Sequence, residues 1–212
     1  QALQRLSAAV EQSPVAILIT NRQEQIEYVN PAFEQLTGYR SADVLGQHPR
    51  LLSAGEVPAE VYVHMRAELQ AGRVWQGEFD SRRKDGSAYQ ERVTIAPIRV
   101  AGGAISHYVA TLQDITGQRQ AQAQIHRLAY YDALTGLPNR SQMHACMAQA
   151  LQECGQGLGA GALLLFDIDR FRQINDTWGH AAGDALLCTV AERLQAAASP
   201  QGQVARLGSN TF

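Results

Sequence analysis

No stretch of these 212 residues approaches the ~18 consecutive apolar positions that a membrane-crossing helix requires. Cysteine is scarce. Cys146, Cys154 and Cys188 form no CxxC pair and are odd in number, which argues against a disulfide framework or structural zinc and makes a reducing cytoplasm the expected location. Charge is sparse as well, at 18% charged residues and a net charge of −2. A chain so balanced lacks the basic excess that nucleic acid or an anionic membrane surface demands, so neither is an expected partner. A signal-peptide pattern and internal repeats are also missing. The first residue is Gln1 rather than methionine, so the sequence reads as an excised segment, with any membrane spans or further domains expected outside it. What is present is a 45% hydrophobic fraction, enough for a core in one large or two modest domains.

Leu3, Leu6 and Val10 share one face of a lead-in helix over 1–12. Strands follow at 15–20 and 25–29. Asn30-Pro31 then supplies an N-cap and a first-turn proline for a short helix ending at Gly38. Ser41 opens another short helix, closed by Gly46. Val61, Met65 and Leu69 lie at helical spacing over 58–70. Three longer strands are expected near 74–82, 88–99 and 105–113, with hairpin turns at Lys84-Asp85-Gly86 and Ala101-Gly102-Gly103. This makes one α+β domain over 13–116. A polar connecting helix with Ile125 and Leu128 as its apolar points covers 117–130. Over 131–212 the pattern alternates: a helix at 139–153, a glycine-rich loop at 155–161, a strand ALLLFDID, a short helical turn, a helix at 181–197 with Leu186, Leu187, Val190 and Leu194 inward, and a strand at 203–207.

The motifs YVNPAFEQLTGY (28–39), ADVLGQHPRLL (42–52), WQGEF (75–79), RRKDGSAY (82–89) and HYVATLQDIT (107–116) stand in the order found in PAS sensor domains, and the first domain resembles that family. The resemblance implies a five-stranded antiparallel sheet with flanking short helices, and a sensing or dimerising role. It also implies that Asp114 and Thr116 couple the sheet to the connecting helix. An Asp and a Thr in front of a helix are equally suited to capping its free amides.

DALTGLPNR (132–140) and FDIDRFRQINDTWGHAAGDALL (166–187) resemble the first half of GGDEF diguanylate cyclase domains. That likeness implies an α/β domain of which this chain holds the N-terminal half. It implies metal ligation by Asp167 with help from the Ile168 carbonyl, and hydrogen bonding of guanine by Asn175 and Asp184. Chemistry is compatible with this. Carboxylates at a strand end can hold Mg²⁺ together with substrate phosphates, the backbone at Phe171 and the Arg172 cation can meet phosphate, and an amide with a carboxylate can read a purine's donor/acceptor edge. Taken singly, Asp167 and Asp169 also suit a solvated strand end, Asn175-Asp176 a turn, and Asp184 a helix N-terminal charge. His180 reads as a turn residue.

The departures from the family bear on function. Where the signature hairpin is expected, the chain reads Gly208-Ser209-Asn210-Thr211-Phe212. Asn210 and Thr211 replace the two acids, and neither offers the negative charge or the base that the cyclisation of GTP needs. Ser209 adds a Cβ where the backbone should approach phosphate. The expectation is a degenerate domain that binds GTP with Mg²⁺ without turnover. The preceding SPQGQVAR lacks the RxxD pair of product-inhibited cyclases.

The first domain's LLSAGEVP, Trp75 and RRKDG also resemble FAD-type redox-sensing PAS domains. Candidate pocket residues are Trp75, which could stack on a flavin or simply fill the core, and His48 and His64, possible haem ligands or helix-edge residues. The thiol of light-oxygen-voltage domains falls at Pro49 and their flavin-binding glutamine near Leu112, which excludes thiol-adduct photochemistry. Three readings follow. One is a homodimeric regulator, paired through PAS and connecting helix, that governs a downstream output of EAL-phosphodiesterase type outside this chain. Another is an active cyclase making cyclic-di-GMP from two GTP. The third is an FAD redox sensor with the GGDEF part as scaffold.

Overall fold

A computed structural model describes residues 2–55, 57–100, 102–156, 161–198 and 202–212. The turn residue Ala101, most of the expected glycine loop at 155–161, and the side chains of Leu3 and Leu6 lie outside the described residues. The backbone divides into two compact units, Gln1–Arg119 and Gln120–Phe212. Among the described residues, no helix is long and apolar enough to cross a membrane.

The first unit begins with helix α1 (Ala2–Glu11), then strands β1 (Ala16–Asn21) and β2 (Ile26–Val29). Helices α2 (Pro31–Thr37) and α3 (Ser41–Val44), a 3₁₀ turn (Pro49–Leu52) and α4 (Ala59–Gln70) precede β3 (Trp75–Arg82), β4 (Ala88–Arg99) and β5 (Ile105–Asp114). The sheet order is β2-β1-β5-β4-β3, antiparallel throughout. Asn30 starts α2 as expected. It is fully buried, its Oδ1 accepts from the amides of Ile17 (2.9 Å) and Phe33 (3.0 Å), and its Nδ2 donates to the carbonyls of Val10 (3.1 Å) and Val15 (2.9 Å). One side chain thus fixes a helix start, a strand start and the end of α1. Gly38 ends α2 at φ 73, a left-handed conformation that glycine adopts without a Cβ clash. The helices cover one face of the sheet, and Phe33, Val44, Ile26, Leu18, Val29 and Leu52 form the core between them.

Helix α5 (Thr116–Tyr130) follows the last strand, with Ile125 and Leu128 both 67% exposed. The second unit contains α6 (Arg140–Gly155), α7 (Phe171–Trp178) and α8 (His180–Ala197). Leu137, Leu187, Ala191 and Phe212 form its core, with Ile168, Phe171, Val190 and Leu194 packed around them.

The strands expected at 162–169 and 203–207 are not formed as ladders. Phe166 and Phe212 exchange both backbone hydrogen bonds at 2.8 Å, Ile168 N–H donates to the Asn210 carbonyl (3.1 Å), and Leu207 N–H donates to the Thr211 carbonyl (2.8 Å). Beyond that short pairing, Leu163, Leu164 and Leu165 remain exposed. An apolar run becomes a strand only where a neighbour completes its hydrogen bonds, and these residues have none among those described.

Candidate functional site

The first unit encloses a cavity of about 400 Å³ between the sheet and the layer formed by the 3₁₀ turn and α4. Leu18, Val93, Ile95, Ala110 and Leu112 make the sheet wall, and Met65 and Leu69 the helix wall. Polar groups break this apolar surface, Thr20, Ser53 and Gln70 among them. Glu91 on β4 and Ser81 on β3 both line the cavity, at 4% and 1% exposure. Ser81 Oγ donates to Glu91 Oε1 (2.7 Å) and Tyr89 OH donates to Glu91 Oε2 (2.9 Å). Burial pushes the Glu91 carboxyl above the usual carboxylate range, against the lowering effect of these two bonds. Burial likewise pushes the Tyr89 phenol up, reinforced by the neighbouring Glu91.

The mouth is charged. Arg22, Arg50, Arg66, His48 and Glu24 line it. Glu24 takes a left-handed backbone (φ 62), a conformation that costs about 1–2 kcal/mol for a residue with a Cβ. There its carboxylate receives Arg66 Nε (2.7 Å), Arg66 Nη2 (3.0 Å) and His48 Nε2 (2.7 Å). The Arg66 hydrogen bond holds Glu24 below its ordinary pKa despite partial burial, with His48 assisting. Arg50 lies over the Tyr62 ring, 4.2 Å from its centre.

Of the three expected pocket residues, only His48 lines the cavity. Its Nδ1 accepts the Arg50 amide (3.1 Å), so the proton is on Nε2 and is given to Glu24. Neither ring nitrogen is free to ligate haem iron. His64 sits on the exposed side of α4. Trp75 is buried outside the cavity, against Met65 and Leu69, with its ring 5.6 Å from that of Phe79. The ring folds back along β3 over Gly77, where an added Cβ would stand 2.2 Å from it. It is therefore Phe79, on the same strand face, that reaches the cavity. Glu91, Ser81 and the Glu24–Arg66 pair escaped sequence reasoning. The alternation Tyr89, Glu91, Val93 on one strand face was the available signal.

Asp114 and Thr116 meet at the end of the sheet. Asp114 Oδ1 accepts the Thr116 amide (2.9 Å), and Asp114 Oδ2 accepts Arg83 Nη2 (2.5 Å). Thr116 is itself the first residue of α5, and its Oγ1 accepts the Gln90 amide of β4 (2.9 Å). The threonine thus holds the helix to the sheet, and the aspartate caps it.

In the second unit, Asp132 organises the DALTGLPNR loop. Its Oδ1 accepts the Thr135 amide (2.9 Å), Thr135 Oγ1 (2.8 Å) and Arg206 Nη1 (2.9 Å). Beside this loop, Asp167, Ile168, Asn210 and Thr211 converge. The Asn210 amide nitrogen donates to Asp167 Oδ1 and to the Ile168 carbonyl (3.0 Å), and Thr211 Oγ1 donates to Asp167 Oδ2 (3.0 Å). An N–H donor thus lies between the two oxygens expected to hold a cation. Ser209 Oγ donates to the Asn210 side-chain oxygen (2.9 Å). Asp169 is exposed. Phe171 turns its ring into the core, leaving its backbone at the start of α7, and Arg172 is exposed. Asn175 Oδ1, near the end of α7, is buried and without a hydrogen-bond partner. It sits in space left by Gly183, where an added Cβ would stand 1.9 Å from it. Asp184 follows Gly183 on α8 and is exposed, as is His180, the first residue of that helix.

Comparison with known proteins places each region in a family. Residues 14–117 match the PAS domain family, and residues 129–212 match the diguanylate cyclase GGDEF domain family. The chain is a PAS domain followed by a GGDEF segment. The chain is 39% identical over 107 residues to a nitrogen fixation regulatory protein of Klebsiella oxytoca, covering 50% of this chain and 22% of that protein. The whole chain is 28% identical over 218 aligned positions to the probable diguanylate cyclase DgcE of Escherichia coli (strain K12), covering 19% of it. This chain therefore spans about a fifth of the length of these curated relatives. Among solved structures, an RNA-binding light-oxygen-voltage receptor is similar to this chain at TM-score 0.55 and 29% identity, covering 60% of this chain and 37% of that one.

Proposed function

We propose that this chain is the input and relay portion of a cyclic-di-GMP signalling protein, in which the PAS cavity takes the signal and the GGDEF segment binds a guanine nucleotide without cyclising it. The carrying observation is at Asp167. In place of acidic partners, Asn210 and Thr211 donate hydrogen bonds to both of its oxygens. A donor amide held against the Asp167 carboxylate and the Ile168 carbonyl opposes a cation at the same point, so the residues present do not fit a resident catalytic metal. The nucleotide-reading side is better preserved. The Oδ1 of Asn175 is buried against Gly183 without a hydrogen-bond partner; turned outward, the amide would meet a purine N–H, with the exposed Asp184 carboxylate taking a second. Isothermal titration with GTP tests this reading. Asn175→Ala and Asp184→Ala should each abolish measurable binding, while incubation with GTP and Mg²⁺ yields no cyclic-di-GMP. Product formation by the chain would overturn it in favour of an active cyclase.

A second observation favours flavin as the PAS ligand. The cavity joins apolar walls to a mouth bearing Arg22, Arg50 and Arg66, a combination suited to a flat aromatic ring with a phosphate tail. Pro49 and Leu112 both line it, so the positions of the photoreceptor thiol and glutamine face the ligand space without those groups. A flavin would supply reversible two-electron redox chemistry; Glu91 and Ser81 would offer it hydrogen bonds and the arginines at the mouth would hold its phosphate. An absorption spectrum with bands near ~370 and ~450 nm after FAD addition supports this, and a flat spectrum with no calorimetric binding rejects it. We further propose a cytoplasmic homodimer paired through the PAS domain and α5 that acts on an output of EAL-phosphodiesterase type.

A further inference from the structure

The cavity wall and the start of α5 are joined by an unbroken line of polar contacts. Glu91 faces the cavity and receives Tyr89 OH (2.9 Å). The Arg83 guanidinium lies 4.3 Å from the centre of the Tyr89 ring. Arg83 Nη2 then donates to Asp114 (2.5 Å), and Asp114 accepts the Thr116 amide (2.9 Å). Arg83 also donates from Nη1 to the Leu36 carbonyl at the end of α2, which leaves the guanidinium little freedom. The first turn of α5 is held a second time, by Arg119 on Glu78, a carboxylate that Arg92 shares.

We infer that Glu91 is the reporting group of the PAS cavity, and that Tyr89, Arg83 and Asp114 transmit its hydrogen-bonding state to the first turn of α5. The inference rests on the cavity being the input site, and not on flavin being its occupant.

The chemistry supplies two arrangements, as a transmitting element requires. As a carboxylate with no ligand bond, Glu91 accepts from both Ser81 and Tyr89. When Glu91 carries a proton, the protonated oxygen becomes a donor and the hydroxyl bonded there must release or reverse its bond, and a ligand donor at either oxygen competes with the hydroxyl already there. If Tyr89 is released, its ring no longer has a fixed place beneath Arg83. Arg83 then shares its charge differently between the ring and Asp114, the residue that caps α5. Ser81 provides the other branch. It ends within the sheet, so only the tyrosine branch leads to the helix. Along β5 the cavity-lining residue nearest the helix is Leu112, which has no hydrogen-bonding side chain, and Tyr108 lies farther from α5.

Amide hydrogen exchange, followed by NMR on the full chain, tests the line without any ligand. Glu91→Gln preserves shape and should raise the exchange rates of Thr116 and Gly117 about two- to fivefold, the scale of one weakened hydrogen bond. In a Tyr89→Phe background the same substitution should change those rates by a factor of about one, because the link is already cut. Arg83→Gln should raise them roughly tenfold in either background. Equal responses to Glu91→Gln with and without the tyrosine hydroxyl, or none in either, would overturn the relay. FAD titration of the same variants separates the two ideas: absence of FAD binding removes the flavin reading, while the exchange cycle decides the relay by itself.

Discussion

In the PAS unit, Phe33 and Val44 are 0% exposed, whereas Leu164 and Leu165 of the GGDEF segment are 70% and 68% exposed. Phe33 and Val44 are single apolar residues on the short helices PAFEQLT and SADV, whereas Leu164 and Leu165 belong to the apolar run ALLLF. They differ in what surrounds them. The PAS sheet closes among strands that lie in one stretch of chain, so each strand finds its neighbours and each inward side chain finds a helix to cover it. In the GGDEF segment the corresponding run pairs only near its end, at Phe166 and Phe212, and its leucines meet no covering layer among the described residues. Hydrophobicity provides the drive to bury a residue, and the ladder decides whether burial happens. The polar chemistry differs in the same way. In the PAS unit a carboxyl is buried and bonded from two sides, at Glu91, while in the GGDEF segment the key carboxylate, Asp167, stays at the surface and is met by neutral donors.

Core truncation should separate the two regions most sharply. Phe33→Ala is expected to cost the PAS unit about 3–5 kcal/mol, and Leu164→Ala less than ~0.5 kcal/mol, as for an exposed site. Urea unfolding followed by tryptophan fluorescence reads both, and comparable losses would break the contrast. Asn30→Ala comes next, at roughly 3 kcal/mol, since it strands buried amides and carbonyls on three elements at once. In the GGDEF segment the nearest counterpart is Arg206→Ala. It removes the partner of Asp132 and should cost about 1–2 kcal/mol, seen as a shift in the unfolding transition of that unit alone.

The smallest effect concerns two glutamates of one cavity that should respond oppositely to pH. Glu24 has a lowered pKa, so its stabilising contribution is full above the ordinary glutamate value of 4.5 and is lost as pH falls below it through the folded-state value. Glu24→Gln should therefore destabilise at pH 7 by about 0.2–1 kcal/mol, the range for a partly solvated pair, and the difference should vanish in acid. Glu91 has a raised pKa, so above its folded-state value it opposes folding, and that cost disappears as pH falls through that value. Glu91→Gln should accordingly stabilise the protein at pH 7. Thermal melts at pH 7 and pH 4 check both signs.

Much of the fold could be read from the chain because local chemistry specified it. Asn30-Pro31 and Gly38 bracket α2 by capping and by left-handed backbone, and Lys84-Asp85-Gly86 turns a hairpin, whatever the rest of the molecule does. The sites were less legible for a physical reason. Glu91 sits in the strand text QERV, where a charged residue ordinarily faces water, and only the paired hydroxyls of Ser81 and Tyr89 make its burial tolerable. Trp75 was singled out by its residue type, but Gly77 lets its ring lie along the strand and away from the cavity. The apolar run at 162–165 has the composition of a strand and lacks, among the described residues, the partner that makes one. In the other direction, the substitutions at 209–211 were visible at once, whereas the contact of Asn210 with Asp167 needed the fold to bring residues far apart in sequence together.

Gly183 carries one more consequence. Because its missing side chain is the space in which the Asn175 carbonyl oxygen rests, this glycine works as a mould for a neighbouring residue's posture. A methyl group added there would push the amide out of line and leave Asn175 and Asp184 chemically intact. On the proposed reading, Gly183→Ala closes the nucleotide face without editing its alphabet, and it offers a silent-pocket version of the segment against which any contribution of bound nucleotide to signalling can be weighed.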